Sequence, residues 1–141
     1  MAINSEFRGA QAVIDLNEVK DILEWHYGSL VKTKDSYDGS IQYFIEDETG
    51  ESWFVNEDTI GRFTGICDIH GKKIYEGDIL SERPNESSLA YIGIALYDEE
   101  LTAFVFQIGK VRKATLGSYS KSYTVIGNIH ENPEIAERIR K

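Results

Sequence analysis

The stretch Phe63-Thr64-Gly65-Ile66-Cys67-Asp68-Ile69-His70-Gly71-Lys72-Lys73-Ile74-Tyr75-Glu76-Gly77-Asp78-Ile79-Leu80 decides the fold class. Glycines at 61, 65, 71 and 77 cut it into apolar runs too short to sustain helices, so short strands and tight turns are expected. In Asp68-Ile69-His70-Gly71, the glycine supplies the positive φ of a tight turn and lays residues 63–67 beside residues 73–75. Glu76-Gly77-Asp78 then redirects the chain into a strand at Ile79-Leu80.

Working outward toward the C-terminus, residues 81–88, with Pro84, read as a mobile surface loop. Residues 89–97 are apolar on both alternating sets, which predicts a strand covered on both faces. Asp98-Glu99-Glu100 is a turn, residues 101–108 return as a hairpin, and residues 111–115 and 122–129 supply further strands. Asn132-Pro133-Glu134 announces a helix, with Asn132 as cap and Pro133 at the first position, and it needs Ile135 and Ile139 to pack on something.

Toward the N-terminus, Trp25, Tyr27, Ser29, Val31 and Thr33 alternate as a strand does, and residues 35–39 carry turn chemistry. Ile41, Tyr43 and Ile45 pair back through Asp47-Glu48-Thr49-Gly50 onto Trp53-Phe54-Val55, with an exposed loop, because burying Asp47, Glu48 and Glu51 without partners would be costly. Asp15 and Glu18, followed by Leu16, Val19, Ile22 and Leu23 at helical spacing, predict a capped helix over residues 16–24. The expected fold is mainly β with minor α: a compact twisted antiparallel sheet or partly open SH3-like barrel in the C-terminal half, with short helices near both ends. Residues 1–141 read as a single domain, the one candidate subdivision lying near Asn56-Glu57-Asp58, between 1–57 and 58–141.

Composition sets limits on function. Fifteen basic against 24 acidic residues give a net charge of −9, which repels phosphate backbones and disfavours nucleic acid as a partner. The two basic runs, residues 110–113 and 138–141, read as solvated faces. A single cysteine forbids an intrachain disulfide and suits a reducing compartment. With neither a signal-peptide pattern nor an apolar run long enough for a membrane span, a cytoplasmic, membrane-free protein is expected.

The residues that carry chemistry are few. Asp68, His70, Glu76 and Asp78 lie close in sequence, and two carboxylates with an imidazole are the materials for activating water or holding a divalent ion. Each also has a turn role: Asp68 and Asp78 are placed to accept backbone N–H groups of their own turns, and that reading outweighs catalysis. His130, after the last strand, has no second histidine at metal-ligand spacing, and Asn128 and Asn132 flank it at a corner. A Cys67–His70 nucleophile pair is disfavoured, since alternation places one inward and an apolar neighbourhood makes the thiol inert. Gly65 to Lys72 misses the phosphate-loop spacing by one residue and lacks its Ser/Thr. No catalytic residue, cofactor or metal ligand is assigned.

Four stretches, Phe7-Arg8-Gly9, residues 25–31, residues 59–80 and Val125-Ile126-Gly127-Asn128-Ile129-His130-Glu131-Asn132-Pro133-Glu134-Ile135, resemble the YopX-like family of small proteins from bacteriophages and prophages of Gram-positive bacteria. The chain departs from the family pattern at residues 10–24, read here as helical where the family has a short turn. It departs again at Cys67 and His70, which the family motif does not demand. The resemblance implies a phage accessory protein of mainly β structure and brings no established activity and no catalytic residues. The function expected is a non-enzymatic module that binds a host or phage protein, or copies of itself as a homo-oligomer. Its contact surface is placed at Asp68, His70, Glu76, Asp78, Asn128, His130 and Asn132, residues that serve equally as the turns defining the fold. The alternatives are a divalent-metal-dependent hydrolase or nuclease-like enzyme using Asp68, Glu76, Asp78 and His130, and an acidic nucleic-acid mimic that blocks a host factor.

Overall fold

The structure, a computed structural model, describes residues 6–15, 17, 20–82, 91–110, 112–117 and 123–140. The chain falls into two compact units, residues 1–62 and 63–141. The division comes inside a strand, a few residues after Asn56-Glu57-Asp58. In hydrogen-bonding order one sheet runs Ser52–Val55, Ile41–Glu46, Lys20–Lys34, Phe7–Asp15, Gly61–Cys67, Lys73–Tyr75 and the other Arg112–Thr115, Ala103–Ile108, Ile92–Asp98, Asp78–Ser81, Thr124–Asn128, every pair antiparallel.

The first unit is built from β1 (Phe7–Asp15), β2 (Lys20–Lys34), β3 (Ile41–Glu46) and β4 (Ser52–Val55), followed by a 3-10 turn at Glu57–Thr59. The helix expected over residues 16–24 is not formed. β1 and β2 pair instead, with Asp15 opposite Lys20, Val13 opposite Ile22 and Gln11 opposite Glu24. Residues 16, 18 and 19 lie outside the described set. The physical reason is a contest between periods: a short apolar run satisfies helical and strand spacing alike, and the β-branched Val13, Ile14 and Ile22 favour the strand. A nine-residue helix is also marginal alone, whereas Phe7–Asp15 offers each β2 residue from Lys20 to Gly28 a cross-strand neighbour.

Along β2, β3 and β4 the two faces differ in kind. Leu30, Ile45 and Trp53 stand side by side in register on one face, where Ile45 and Val55 are fully buried and Trp53 stacks on His26 with centroids 4.2 Å apart. Val31, Phe44 and Phe54 line up across the same strands on the other face. The 3-10 turn is tied to β1 by Thr59, whose hydroxyl accepts the Ala10 N–H at 2.8 Å.

The second unit holds most of β5 (Gly61–Cys67), then β6 (Lys73–Tyr75), β7 (Asp78–Ser81), β8 (Ile92–Asp98), β9 (Ala103–Ile108), β10 (Arg112–Thr115), β11 (Thr124–Asn128) and the helix α1 (Pro133–Arg140). Phe63 pairs with Tyr75 and Cys67 with Lys73 around Gly71 at φ 83°, as the glycine spacing predicts. β8 is covered on both sides: Ala95 packs with Leu80, Phe106 and Tyr123, while Ile92 and Ile94 pack with Ile79, Ala136 and Ile139 of α1. Residues 83–90, which include most of the expected mobile loop and the start of the expected β8, lie outside the described set. The ends of the five-stranded sheet, β10 and β11, are not paired with each other, so the sheet is open and no barrel closes among the described residues. The fold is mainly antiparallel β, with one α-helix among the described residues, at the C-terminal end.

Candidate functional site

Two corners gather most of the polar residues singled out in the sequence. At the first, Asp68 is 7% exposed and its carboxylate takes up backbone donors. Oδ1 accepts the N–H groups of His70 at 2.8 Å and Lys72 at 2.9 Å, and Oδ2 accepts the Val125 N–H of β11 at 3.1 Å. Ile69 N–H donates to the Tyr123 carbonyl at 2.9 Å, a second tie from this turn to the last strand. Burial alone would raise the Asp68 pKa; the N–H bonds from Val125, Lys72 and His70 outweigh it and hold the carboxyl below its usual range.

The second corner joins the start of β7 to the end of β11. Asp78 is 1% exposed, sits opposite Asn128 in register, and accepts the Tyr75 N–H at 2.8 Å through Oδ2. Asn128 accepts the His130 and Glu131 N–H groups at 2.9 Å each and donates through Nδ2 to Glu131 at 3.2 Å. Asn132 starts α1 with its carbonyl, which accepts the Ile135 and Ala136 N–H groups, while its side-chain oxygen accepts the Asn128 N–H at 3.2 Å. That oxygen would stand 2.3 Å from a Cβ at position 127, which is why Gly127 occupies the turn into this corner. Ile129 N–H donates to the Gly77 carbonyl at 2.9 Å, and Gly77 N–H to Ala95 at 2.8 Å, so the turn that carries Glu76 is pinned from both sides.

The corners are separate. Val125 and Asn128 are three residues apart on β11, roughly 10 Å at strand rise, so Asp68 does not join Asp78 and His130 around a common centre. Among the described residues, no group of three or more His, Cys, Asp or Glu side chains is placed to hold a metal ion. His70 enters through its backbone N–H, on an exposed turn. Cys67 corrects the expected buried thiol: it and His70 are both exposed, because Phe63 and Tyr75 turn toward each other in this hairpin while its end points outward. What the two corners do chemically is satisfy backbone donors at sharp changes of direction, where such groups would otherwise be orphaned.

The surface features that sequence reading missed lie elsewhere. Phe54 is 51% exposed on the edge strand β4 and meets Phe44 edge-on at 5.5 Å, with Val31 beside it. Tyr37 is 98% exposed at the tip between β2 and β3. An aromatic residue inside a turn of Asp, Ser and Gly was the available signal. The two basic runs also have different fates. Lys113 pairs with Asp98 at 2.7 Å, whereas Lys110 and Arg140 come together on a groove of about 340 Å³ lined also by Ile129, Pro133, Ala136 and Glu137. Charge is unevenly divided: residues 1–62 carry five basic and 13 acidic side chains, net −8, and residues 63–141 carry ten and 11, net −1.

No curated protein matches the chain. The family profile described as YopX protein matches residues 18–137, which run from the β1–β2 connection to Glu137, three residues short of the end of α1, and include both corners. A match over so much of the sequence, reaching across both units, shows that the chain belongs to the YopX family.

Proposed function

We propose that this protein is a phage- or prophage-encoded accessory protein of the host cytoplasm that acts without catalysis, by binding another protein through the outer sheet face of its first unit. The observation that carries this reading is the Val31–Phe44–Phe54 stripe. It crosses three strands of a face that also carries Ser29, Thr33, Gln42, Glu46 and Ser52, and it ends on β4, the terminal strand of this sheet among the described residues. Half-exposed aromatic side chains on a rigid strand are suited to anchor a partner. An open edge offers main-chain pairing to an extended segment. The net charge of −8 on this unit selects a partner with basic character and raises its rate of encounter.

The test is a pull-down from host cells with the natural chain and with Phe54→Ser, whose half-exposed site tolerates a small polar residue. The expected result is a basic protein retained by the first and lost by the second. Identical retention by both would remove the support for this surface. The concentration of acid in one unit also favours a second reading, in which the unit occupies a nucleic-acid-binding groove of a host factor. Release of the captured partner by duplex DNA would support that version, and indifference to DNA would exclude it.

A further inference from the structure

The tip between β2 and β3 is ordered by its own hydrogen bonds. Asp35 Oδ1 accepts the Tyr37 N–H at 2.7 Å and the Asp38 N–H at 3.3 Å, Asp38 Oδ1 accepts the Ser40 N–H at 2.8 Å, and backbone bonds link Asp35 with Ser40 and Gly39. This network holds an aromatic side chain 98% in solvent, between two carboxylates. A preorganised Tyr with two rotatable bonds loses little freedom on docking and carries a large apolar area. Its local charge is negative, and the Ser40 N–H bond lowers the Asp38 pKa and keeps that carboxyl ionised.

The second unit offers a receptor of opposite character. Between the turn after β9 and α1 lies the groove lined by Ile129, Pro133 and Ala136 together with Lys110, Arg140 and Glu137. Its volume of about 340 Å³ exceeds what one aromatic ring needs. Lys110 and Arg140 come from the two basic runs that lie 30 residues apart in the chain, and folding places them on one opening.

We infer that the groove at Lys110 and Arg140 receives the Tyr37 tip of a second copy of this chain, the ring against Ile129, Pro133 and Ala136 and Asp35 and Asp38 against the two cations. This inference rests on the reading of the protein as a binding module and names one of its partners. Charge decides between the self-contacts available. A tip-to-tip contact would set the Asp35 and Asp38 carboxylates against their own kind, whereas a tip-to-groove contact sets them against Lys110 and Arg140. The contact joins unlike surfaces, so it builds either reciprocal dimers or open chains. One ring and two ion pairs make an interface well below standard size, and a dissociation constant of about 100 µM is expected.

Sedimentation velocity on the full chain from roughly 10 µM to 1 mM, in about 50 mM and about 500 mM salt, tests this. The natural chain should associate at low salt and dissociate at high salt. Tyr37→Ser should weaken association about tenfold or more. The pair Lys110→Glu with Arg140→Glu should do the same, and combining all three should add little, since both lesions strike one contact. Tyr37 is so exposed that its replacement leaves the melting temperature unchanged, which separates lost docking from lost folding. A natural chain that stays monomeric at about 1 mM, or association that Tyr37→Ser leaves intact, overturns the inference. Neither result touches the Phe54 surface: a monomer that still captures a basic partner through Phe54 leaves the proposed function standing. Loss of that capture with Tyr37-dependent association intact does the reverse.

Discussion

Replacing Asp68 with Ala removes one carboxylate and strands three backbone donors at once. The Val125 N–H is the consequential one, because it belongs to β11 and bonds a residue 57 positions away. A partly buried hydrogen bond to a charged acceptor contributes about 1.5–3 kcal/mol. The His70 and Lys72 donors sit on exposed residues, where water replaces the lost oxygen, so each adds about 0.5–1 kcal/mol. The expected destabilisation is therefore about 3–4 kcal/mol, out of a total of about 5–15 for a domain, and a fall in melting temperature of about 10 °C. Asp68→Asn keeps one carbonyl oxygen for the turn but turns an NH2 toward one donor set, and should lose about half as much. Urea unfolding at pH 7 measures both. Acid supplies an internal control. The folded pKa lies below the unfolded value of about 3.9. The stabilisation is therefore complete above about pH 4 and disappears as pH falls through the folded value, so the gap between the natural chain and Asp68→Ala should close in acid. A loss below about 1 kcal/mol, or a gap unchanged from neutral pH into strong acid, would refute the assignment of Asp68 to backbone support.

Four further outcomes are expected. Gly127→Ala drives a Cβ against the Asn132 side chain and should cost about 1–3 kcal/mol, and adding Asn132→Ala should recover part of that loss, which a double-mutant cycle in urea would read. Ile139→Ala, which empties the packing of α1 on β7 and β8, should cost about 2–4 kcal/mol by the same assay. Asp47 is held down to about 2 by bonds from the Thr49 hydroxyl and the Trp53 indole N–H. The indole proton resonance of Trp53 should thus stay fixed as pH drops through the ordinary carboxyl range, and move only near pH 2. Cys67, being exposed, should react with a thiol reagent in the folded chain nearly as fast as in the unfolded one.

The glycine-punctuated middle was legible because its signals are local: Gly71 needs only its own φ, and the pairing of residues 63–67 with 73–75 follows from turn length. The β2–β3–β4 meander was legible for the same reason, as were the two-faced cover of β8 and the Asn132-Pro133 start of α1. Residues 16–24 were not, because their partner, Phe7–Asp15, decides between helix and strand, and that decision depends on pairing rather than on local preference. Cys67 misled by its apolar neighbours in sequence, which in the hairpin point elsewhere. Of the candidate residues, Asp68 revealed its backbone role through its position at the start of a turn, and Asp78 through its position between a turn and the strand it opens. The meeting of Lys110 with Arg140 has no sequence signature, since it depends on α1 packing back against the turn after β9.

The division of labour among carboxylates explains what several of these acids do in the fold. A carboxylate that works as a base or metal ligand must keep lone pairs turned toward a cleft. Asp68 turns both oxygens onto backbone N–H groups, Asp47 takes donors from Thr49, Glu51 and Trp53, and Asp35 and Asp38 close their own turn. Most of these acids sit where two strands change direction, and a sheet of short strands has many such places. Elsewhere Glu24 accepts the Gln11 side-chain amide and Glu57 the Tyr43 hydroxyl, and the acids of the first unit together sum to a strongly negative field. Under the proposed binding role, charge and exposed rings form the working surface of such a protein. Its specificity then depends on which rings the turns hold outward, and Tyr37 and Phe54 are the two whose removal should change what it binds without changing how it folds.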